Sequence, residues 1–240
     1  MSKVYAVVPA AGTGSRMMTG PDGVNIKKQF LKLHGKEILA YTLEVLESVE
    51  AIEGIILVTG KKDIETCERI VNTYGFTKVK KIIPGGNRRQ NSVLEGLSVL
   101  PKDTEIVVIH DGARPFVTKE EIEATIHTAE RVGGAVLAVP VTDTIKVVTS
   151  GGVIESTPER SDLYSAQTPQ TFRYPDILEG HRHAVVFGDF RCTDDSQIME
   201  KYMDIRIEIV QGSYENIKIT TPKDLLTAEK ILEKRENENH

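Results

Sequence analysis

Short apolar runs alternate with longer amphipathic runs along the chain from residue 4 to residue 139. The apolar runs are rich in valine and isoleucine and end in glycine, proline or polar residues, which is typical of strands buried in a parallel sheet. We predict such strands at residues 4–8, 55–58, 79–83, 106–109 and 135–139. The amphipathic runs predict helices at residues 38–46, 63–74, 90–100 and 119–131. This alternation predicts an α/β fold, with a mainly parallel sheet between helical layers and ligands bound beyond the carboxyl ends of the strands.

The pattern changes between residues 142 and 172. Residues 145–148 and 153–156 are β-type segments on either side of Ser150-Gly151-Gly152, which predicts a β-hairpin. No apolar helix nearby could cover this hairpin, so we expect a β-arm that projects from a single domain spanning residues 1–240. The remaining pattern predicts a helix near residues 195–202, a strand at residues 205–210 and a last helix from Pro222 to about Lys234.

Composition narrows the possible functions. The 30 Lys and Arg residues and 35 Asp and Glu residues give a net charge of -5, which disfavours a general nucleic-acid or anionic-membrane binder. A local basic pocket for phosphates stays possible. The two cysteines, Cys67 and Cys192, form neither a disulfide scaffold nor a metal cluster, and no apolar run approaches the roughly 20 residues of a membrane span. We therefore expect a cytoplasmic protein whose partners include neither nucleic acid nor membrane.

The first predicted strand leads into a loop of small residues, Pro9-Ala10-Ala11-Gly12-Thr13-Gly14-Ser15-Arg16-Met17. Such a loop lets backbone N–H groups approach phosphate oxygens closely, and Arg16 adds a cation. It lacks the third glycine of the dinucleotide-binding fingerprint, where Met17 stands, and it lacks the GxxxxGK[ST] pattern of a P-loop. Taken alone, the loop is consistent both with a phosphate site and with an ordinary tight turn that carries surface cations.

Seven ordered motifs together resemble the nucleotidyltransferases that join a polyol phosphate to a nucleoside, and among them the 2-C-methyl-D-erythritol 4-phosphate cytidylyltransferase family. The motifs are the first loop followed by Lys28-Gln29-Phe30-Leu31, Gly85-Gly86 with Arg89 and Ser92, His110-Asp111-Gly112-Ala113-Arg114-Pro115-Phe116, Val141-Thr142-Asp143-Thr144-Ile145-Lys146, Thr168-Pro169-Gln170-Thr171-Phe172, Thr193-Asp194-Asp195, and Asn216-Ile217-Lys218-Ile219-Thr220-Thr221-Pro222. The resemblance spans nearly the whole chain. It implies a Rossmann-like three-layer nucleotidyltransferase domain whose β-arm, at about residues 142–172, exchanges with a second subunit in a homodimer.

The activity implied by the resemblance is transfer of the cytidylyl group of CTP to 2-C-methyl-D-erythritol 4-phosphate, with release of pyrophosphate. Mg²⁺ or a similar divalent ion is expected, held largely by the CTP phosphates. A related family that acts on ribitol 5-phosphate shares most motifs, but it tends to carry Ala-Gly-Gly in the first loop and Asp-Ser-Val-Arg after the fourth strand. Here the loop has Pro9-Ala10-Ala11-Gly12 and the later motif is Asp111-Gly112-Ala113-Arg114-Pro115, which favours methylerythritol phosphate.

A second class of function, a nucleotide-binding sensor without turnover, is the other alternative. A degenerate binder is expected to lose Lys28, Arg160 or Lys218 while it keeps the glycine loop, and all three cations are present.

Joining two phosphates mainly requires that the protein place two polyanions together and offset their repulsion. Cations should therefore predominate over carboxylates among the functional residues.

The resemblance assigns roles to individual residues. The catalytic candidates are Arg16, Lys28, Arg160 and Lys218; the CTP-binding candidates are Ala10, Ala11, Gly12, Gly14, Gly86, Ser92 and Asp111; the acceptor-binding candidates are Arg114, Thr144 and Thr168. Lys28 is preferred over Lys27 because the family lysine directly precedes Gln29. The segment Thr19-Ile26 is longer than is usual for the family. The resemblance places Thr144, Arg160 and Thr168 on the arm, where they bind the acceptor in the partner subunit's site. Asp111 can contact ribose, acceptor or metal. The resemblance does not identify the metal ligands.

Other polar and sulfur-containing residues have structural interpretations. His110 is expected to be packed, His181 and His183 to lie at the surface, and Cys67 to be buried in a helix. Asp194-Asp195 are expected at a helix N-terminus, where acidic side chains complement the helix dipole. Thr118 followed by Glu121 predicts a capping box at the start of the fourth helix.

Overall fold

The computed structural model describes residues 2–12 and 27–238. Its strands are β1 (Val4–Pro9), β2 (Lys32–Leu33), β3 (Lys36–Glu37), β4 (Ile52–Thr59), β5 (Val79–Pro84), β6 (Ile106–Ile109), β7 (Gly133–Pro140), β8 (Val147–Val148), β9 (Ile154–Ser156), β10 (Tyr164–Arg173) and β11 (Arg206–Gln211). Its α-helices are α1 (Ile38–Ser48), α2 (Ile64–Tyr74), α3 (Arg89–Ser98), α4 (Lys119–Val132), α5 (Tyr174–Val186), α6 (Asp195–Tyr202) and α7 (Pro222–Glu238). Short 3-10 helices lie at Lys28–Phe30, Lys61–Asp63 and Arg160–Asp162.

Seven strands form the central sheet in the order β11-β7-β10-β6-β1-β4-β5. The pairs β1–β4, β1–β6, β4–β5 and β7–β11 are parallel, whereas β10 runs antiparallel to both β6 and β7. The predicted mainly parallel α/β sheet is confirmed. After β1 the chain moves outward to β4 and β5, and it then returns to the other side of β1 to form β6. A crevice for ligands is expected at such a reversal, beyond the carboxyl ends of the strands.

Helices cover both faces of this sheet. Helices α1, α2 and α4 pack on one face through residues such as Leu43, Ile70 and Ile126. Helices α3, α5 and α6 pack on the other face. Neighbouring residues of β1 point to opposite faces, as strand geometry requires: Val8 belongs to the first core and Val7 to the second. The predicted three-layer architecture is therefore confirmed, and Cys67 is fully buried in the first core as expected.

The β-arm is shorter than the sequence indicated. Strands β8 and β9 form the predicted hairpin as a separate two-stranded sheet. Residues 164–172, which we placed at the end of an arm spanning about 142–172, instead pair with β6 and β7 inside the central sheet. The reason is that the polar side chains of Gln167, Thr168 and Gln170 are buried and hydrogen-bonded, so a polar motif forms a central strand. The projecting segment is thus residues 142–163.

Local signals place the helices that carry functional residues. Thr118 Oγ1 accepts a hydrogen bond from the Glu121 N–H at 3.2 Å, and Glu121 Oε2 accepts one from the Thr118 N–H at 2.9 Å, which confirms the predicted capping box. Helix α5 was not predicted, although residues Ile177, His181 and Ala184 recur at helical spacing and are all buried. None of the helices in the described part of the chain is long and apolar enough to cross a membrane.

Helix α3 packs directly against the sheet at Gly96, which leaves no space for a side chain. A Cβ atom at Gly96 would lie 2.5 Å from Val7 Cγ1 and 3.0 Å from Val58 Cγ2, both of which are buried. This close packing sets the height of α3 above β1 and β4, and α3 begins at Arg89, at the carboxyl ends of those strands.

We predict that Gly96→Val lowers the free energy of unfolding by about 2 kcal/mol or more, because a core this tight cannot accept extra methyl groups without displacement. Ser98→Val is the matched control: Ser98 is exposed on the same helix, so the change should stay within about 0.5 kcal/mol. Urea denaturation of both variants measures the difference. Equal stabilities for the two variants would contradict the packing described here.

Candidate active site

A cavity of about 380 Å³ opens at the carboxyl edge of the sheet, where the strand order reverses. It is lined by segments that follow β1, β5 and β6, by the start of α3, and by two lysine-bearing segments from elsewhere in the chain. The lining residues are Pro9, Ala10, Ala11, Gly12, Lys28, Gln29, Gly86, Asn87, Arg88, Arg89, Ser92, Asp111, Gly112, Ala113 and Lys218. The cavity therefore collects most of the residues that the sequence assigned to CTP.

The lining of this cavity is strongly positive. Among the described lining residues there are four cations, Lys28, Arg88, Arg89 and Lys218, and one carboxylate, Asp111. The whole chain carries a net charge of -5, so this local excess of cations opposes the overall charge. A concave site with cations on its walls focuses positive potential and suits a polyanion such as a triphosphate.

The first loop and the Lys28 segment are tied together by Gln29. Its buried side-chain amide Nε2 donates a hydrogen bond to the Ala10 carbonyl at 2.6 Å. Lys28 lines the cavity, whereas Lys27 does not and its Nζ is paired with Asp63 Oδ2 at 2.5 Å. This geometry supports the choice of Lys28 over Lys27. Gly14, Arg16 and the segment 19–26 lie outside the described residues.

The turn after β5 brings its backbone against the first loop. A Cβ at Gly85 would lie 2.5 Å from Ser92 Oγ and 2.8 Å from Ala11 Cβ, so the contact between the two loops requires a glycine there. Ser92 is buried, and its hydroxyl donates to the Arg88 carbonyl at 3.2 Å. Gly86 is exposed at the cavity rim, where its backbone is accessible to a ligand.

Asp111 is the charged residue on which the other groups converge. Its Oδ1 accepts a hydrogen bond from Arg89 Nε at 2.9 Å, and its Oδ2 pairs with Lys218 Nζ at 2.6 Å. Burial acts to raise the pKa of Asp111, but Arg89 and Lys218 outweigh it and hold the pKa far below its usual range. Asp111 is therefore an ionised carboxylate at neutral pH, suited to orienting cations and unsuited to accepting a proton.

The backbone of Asp111 is held by a second chain of hydrogen bonds. The Arg114 carbonyl can only accept, so His110 Nε2, 3.0 Å away, carries a hydrogen and Nδ1 is left as an acceptor. The Thr168 hydroxyl then donates to His110 Nδ1 at 3.1 Å and accepts from the Asp111 N–H at 3.1 Å. Burial lowers the pKa of His110 to about 4, which keeps the ring neutral. His110 is packed, as predicted, and Thr168 does not line the cavity.

Lys218 is carried by a segment that is fixed on both sides. The side-chain amide of Asn216 donates to the Thr168 carbonyl at 2.9 Å, and the Asn216 carbonyl accepts from Arg114 Nη1 at 2.6 Å. The Ile219 N–H donates to the Ala113 carbonyl at 2.9 Å. In this single chain Arg114, predicted to bind the acceptor, therefore supports the backbone next to Lys218 and does not reach the cavity lining.

The arm residues are remote from the cavity within one chain. Thr144 and Arg160 are both exposed, and Arg160 Nη1 donates to the Thr142 carbonyl at 3.2 Å. Neither residue lines the cavity of its own chain. Their predicted role in the site of a partner subunit stays a prediction.

Several residues of the site were not singled out from the sequence. Asn87 and Arg88 line the cavity, and no local signal separates them from ordinary turn residues.

The expectation that His181 lies at the surface is wrong: it is fully buried on α5, and its Nε2 lies 3.2 Å from Asp195 Oδ1. Asp194 caps α6 by accepting from the Gln197 N–H at 2.9 Å, which confirms the predicted helix start.

An open, mainly parallel α/β sheet with a cation-lined cavity at its topological switch point is typical of an enzyme that binds nucleotide phosphates. A family model narrows this class. The model for 2-C-methyl-D-erythritol 4-phosphate cytidylyltransferase matches residues 4–234. The chain belongs to this family, so it is a cytidylyltransferase, and the enzyme class predicted from the motifs is confirmed.

Individual relatives agree with the family assignment. The chain is 47% identical over 236 residues to a 2-C-methyl-D-erythritol 4-phosphate cytidylyltransferase of Desulforamulus reducens, covering 98% of each chain. It is 45% identical to one of Clostridium botulinum, covering 98% of this chain and 99% of that one. Among solved structures, the 4-diphosphocytidyl-2C-methyl-D-erythritol synthase of Anaerococcus prevotii is similar, with a TM-score of 0.85, 30% identity, and coverage of 97% of this chain and 96% of that chain.

We predict that the buried neutral His110 makes the protein less stable in mild acid. The folded-state pKa of about 4 lies below the usual 6.5 of the unfolded chain, so the unfolded state binds more protons between these two pH values. The free energy of unfolding should therefore fall by up to about 1.4 kcal/mol per pH unit as the pH drops through this window.

The matched variant is His110→Gln, whose amide can keep both hydrogen bonds but does not titrate. Urea denaturation at pH 7, 6 and 5 should show a smaller decline for this variant than for the unsubstituted protein. Identical declines would show that His110 does not carry the effect.

Proposed function

We propose that this protein transfers the cytidylyl group of CTP to 2-C-methyl-D-erythritol 4-phosphate, with release of pyrophosphate. The observation that carries the proposal is the cavity with four cations and one carboxylate at the sheet's switch point. The names of its relatives, at 44–47% identity over nearly their full length, specify the same acceptor. In line with its composition, we place the protein in the cytoplasm, without nucleic-acid or membrane partners.

The reaction joins two phosphates by a simple exchange of bonds. A non-bridging oxygen of the acceptor phosphate attacks the α-phosphorus of CTP and forms the new P–O bond. The bond from the α-phosphorus to the oxygen shared with the β-phosphorus breaks, and its electron pair leaves with pyrophosphate. A phosphate monoester is already a nucleophile near neutral pH, so the enzyme needs to position and neutralise charge more than to remove a proton.

The proposed roles follow the positions of the described residues around the cavity and, for Gly14 and Arg16, the match to the family's first loop alone. Backbone groups of Ala10, Ala11 and Gly12, together with Gly14 and Arg16, bind the triphosphate. Gly86 and Ser92 lie where they can contact the cytosine, and Lys28 stabilises charge that develops at the α-phosphate. Lys218, aimed by Asp111, binds the acceptor phosphate and brings it towards the α-phosphorus.

The described part of the chain offers a divalent cation no cluster of protein ligands. Among the described residues no group of three or more histidine, cysteine, aspartate or glutamate side chains is placed to hold a metal ion. Asp111 is the carboxylate at the cavity, and both its oxygens already accept from Arg89 and Lys218. Mg²⁺ therefore enters this proposal as an ion held by the phosphates of CTP, and no step depends on a protein ligand for it.

The arm supports a homodimer with shared sites. Its hairpin exposes apolar side chains that no other part of the described chain covers: Ile145, Val147, Val148, Val153 and Ile154 are 40–67% exposed. An isolated two-stranded hairpin is marginally stable in water, so this surface needs a partner, and a second copy is the simplest one. In that arrangement Arg160 and Thr144 are the candidates for acceptor binding across the interface, whereas Arg114 and Thr168, predicted to bind the acceptor, instead hold the backbone beside Lys218 and Asp111.

The function is tested directly by pyrophosphate release from CTP. We expect turnover with 2-C-methyl-D-erythritol 4-phosphate and a kcat/KM with ribitol 5-phosphate that is lower by at least about 10²-fold, since a site built to bind particular hydroxyls rejects a mismatched polyol. The reverse preference would assign the protein to the ribitol phosphate reaction. Binding of CTP without turnover of either acceptor would identify a sensor.

We predict that Lys28→Ala lowers kcat/KM by about 10²–10³-fold, the scale expected for one group that stabilises developing charge. Lys27→Ala is the matched control, because it removes the same charge from the adjacent residue but only breaks the outer pair with Asp63. Because the side chains of this pair are only 27% and 14% exposed, thermal denaturation of Lys27→Ala establishes its folded fraction. Equal losses for both variants, or a loss confined to Lys27→Ala, would contradict the assignment.

The shared site predicts complementation between two inactive variants. Arg160→Ala and Lys218→Ala are each expected to be inactive alone. After subunit exchange, a mixed dimer holds one site with both defects and one site with neither, so activity should return to as much as about half per mixed dimer. A mixture that stays inactive although mixed dimers form would show that Arg160 does not act across the interface. A monomer by sedimentation would remove the premise.

A further inference from the structure

An ordered chain of polar and charged side chains leads from the cavity into the protein interior. Lys218 pairs with Asp111, and Asp111 accepts from Arg89 Nε at 2.9 Å. The same guanidinium reaches a second carboxylate on its far side, with Arg89 Nη2 2.8 Å from Asp195 Oδ2. The other oxygen of Asp195 lies 3.2 Å from His181 Nε2. One arginine therefore bridges the carboxylate of the candidate site and a carboxylate that no ligand can reach.

The inner end of this chain is a rigid anchor. Asp195 and His181 are both 0% exposed and come from two different helices, α6 and α5. The Asp195 and Ser196 N–H groups donate to Gln170 Oε1 at 3.0 Å each, which fixes the start of α6 to strand β10. A buried carboxylate is tolerated only when it is paired with a cation. Asp195 therefore depends on Arg89 to compensate its charge, and Arg89 depends on Asp195 for its orientation.

The forked shape of arginine is what makes this bridge possible. Arg89 donates from Nε to Asp111 and places Nη2 in an ion pair with Asp195 Oδ2, so one guanidinium spans both carboxylates, whereas the ammonium of a lysine is a compact point charge. Arg89 lines the cavity, yet its charge is directed at two carboxylates. Without the inner anchor, the guanidinium would be free to turn towards the phosphates, and Asp111 would lose the contact that fixes one of its oxygens.

We infer that Arg89 is a positioning residue: Asp195 and His181 hold its guanidinium so that Asp111 keeps Lys218 aimed at the acceptor phosphate. The inference rests on the proposed function for the role of Lys218. It assigns to the buried pair Asp195–His181 an effect on turnover that is exerted entirely through Asp111.

The substitution Asp195→Asn separates the effect of positioning Arg89 from the effect of the negative charge itself. The substitution removes a negative charge near the cavity, so a pure field effect would tighten the binding of CTP, lowering KM and leaving kcat unchanged. The positioning role predicts instead that kcat falls by about tenfold or more, so kcat is the quantity that separates the two effects, whether or not KM for CTP also decreases. Asp194→Asn is the matched control, because it removes the same charge from the preceding residue and asparagine is an equally good N-cap.

A double-mutant cycle then tests whether Asp195 acts through Asp111. Asp195→Asn should cost about tenfold in kcat in the unsubstituted protein but less than about twofold in an Asp111→Asn background, since residues that act in one network have non-additive effects. Equal losses in both backgrounds would overturn the inference, because a merely structural role lowers activity regardless of Asp111. An unchanged kcat for Asp195→Asn would also overturn it.

Because Asp195 is buried, a second variant guards against loss of the fold. Arg89→Lys keeps the charge at a partly exposed position, with the side chain 27% exposed, and it should reproduce both the loss in kcat and its absence in the Asp111→Asn background. Thermal denaturation establishes the folded fraction of each variant. If the unsubstituted enzyme turns over but the losses are additive, only this inference fails; if it does not turn over at all, the proposed function fails and the inference with it.

Discussion

The salt bridge between Asp111 and Lys218 is the interaction on which the architecture of the site depends. Asp111 follows β6 in the centre of the sheet, and Lys218 lies more than a hundred residues later in the segment before α7. Arg89, at the start of α3, meets the same carboxylate from the other side. One ionised side chain thus joins elements from three parts of the chain at the mouth of the cavity, and each of these elements is held independently by core packing.

This arrangement explains how an acidic protein can bind two polyanions. The cations are concentrated on the cavity wall, and the single described carboxylate there orients two of them without cancelling the excess of positive charge. Pre-oriented charges in a partly buried site stabilise a transition state more effectively than mobile surface charges, because they need not reorganise as the reaction proceeds. The hydrogen bonds among Thr168, His110 and Arg114 serve the same end, since they fix the backbone that carries Asp111.

The sequence predicted what depends on local patterns. Periodicity identified most strands and helices of the domain but missed α5, and the glycines and lysines near them indicated the loops that form the cavity. It did not predict β10 as a central strand, because Gln167 and Gln170 are polar and their burial depends on partners from distant segments. For the same reason His181 was assigned to the surface: its partner Asp195 lies on another helix. Residues that belong to a recognisable local motif were found, including Asp111 and Lys218, whereas the burial of β10 and of His181, which depends on distant partners, was not.

The central claim is that the cavity at the carboxyl edge of β1, β5 and β6 is the nucleotide site, organised around Asp111 before any ligand binds. A crystal structure of the protein with CTP tests this claim most directly. The account predicts that the triphosphate lies along residues 10–12 beside Lys28, that the cytosine lies near Gly86 and Ser92, and that Arg89 and Lys218 keep their contacts with Asp111. A nucleotide bound instead in the groove between Arg88, Phe187 and Tyr202, or a site in which Asp111 has turned away from both cations, would contradict it.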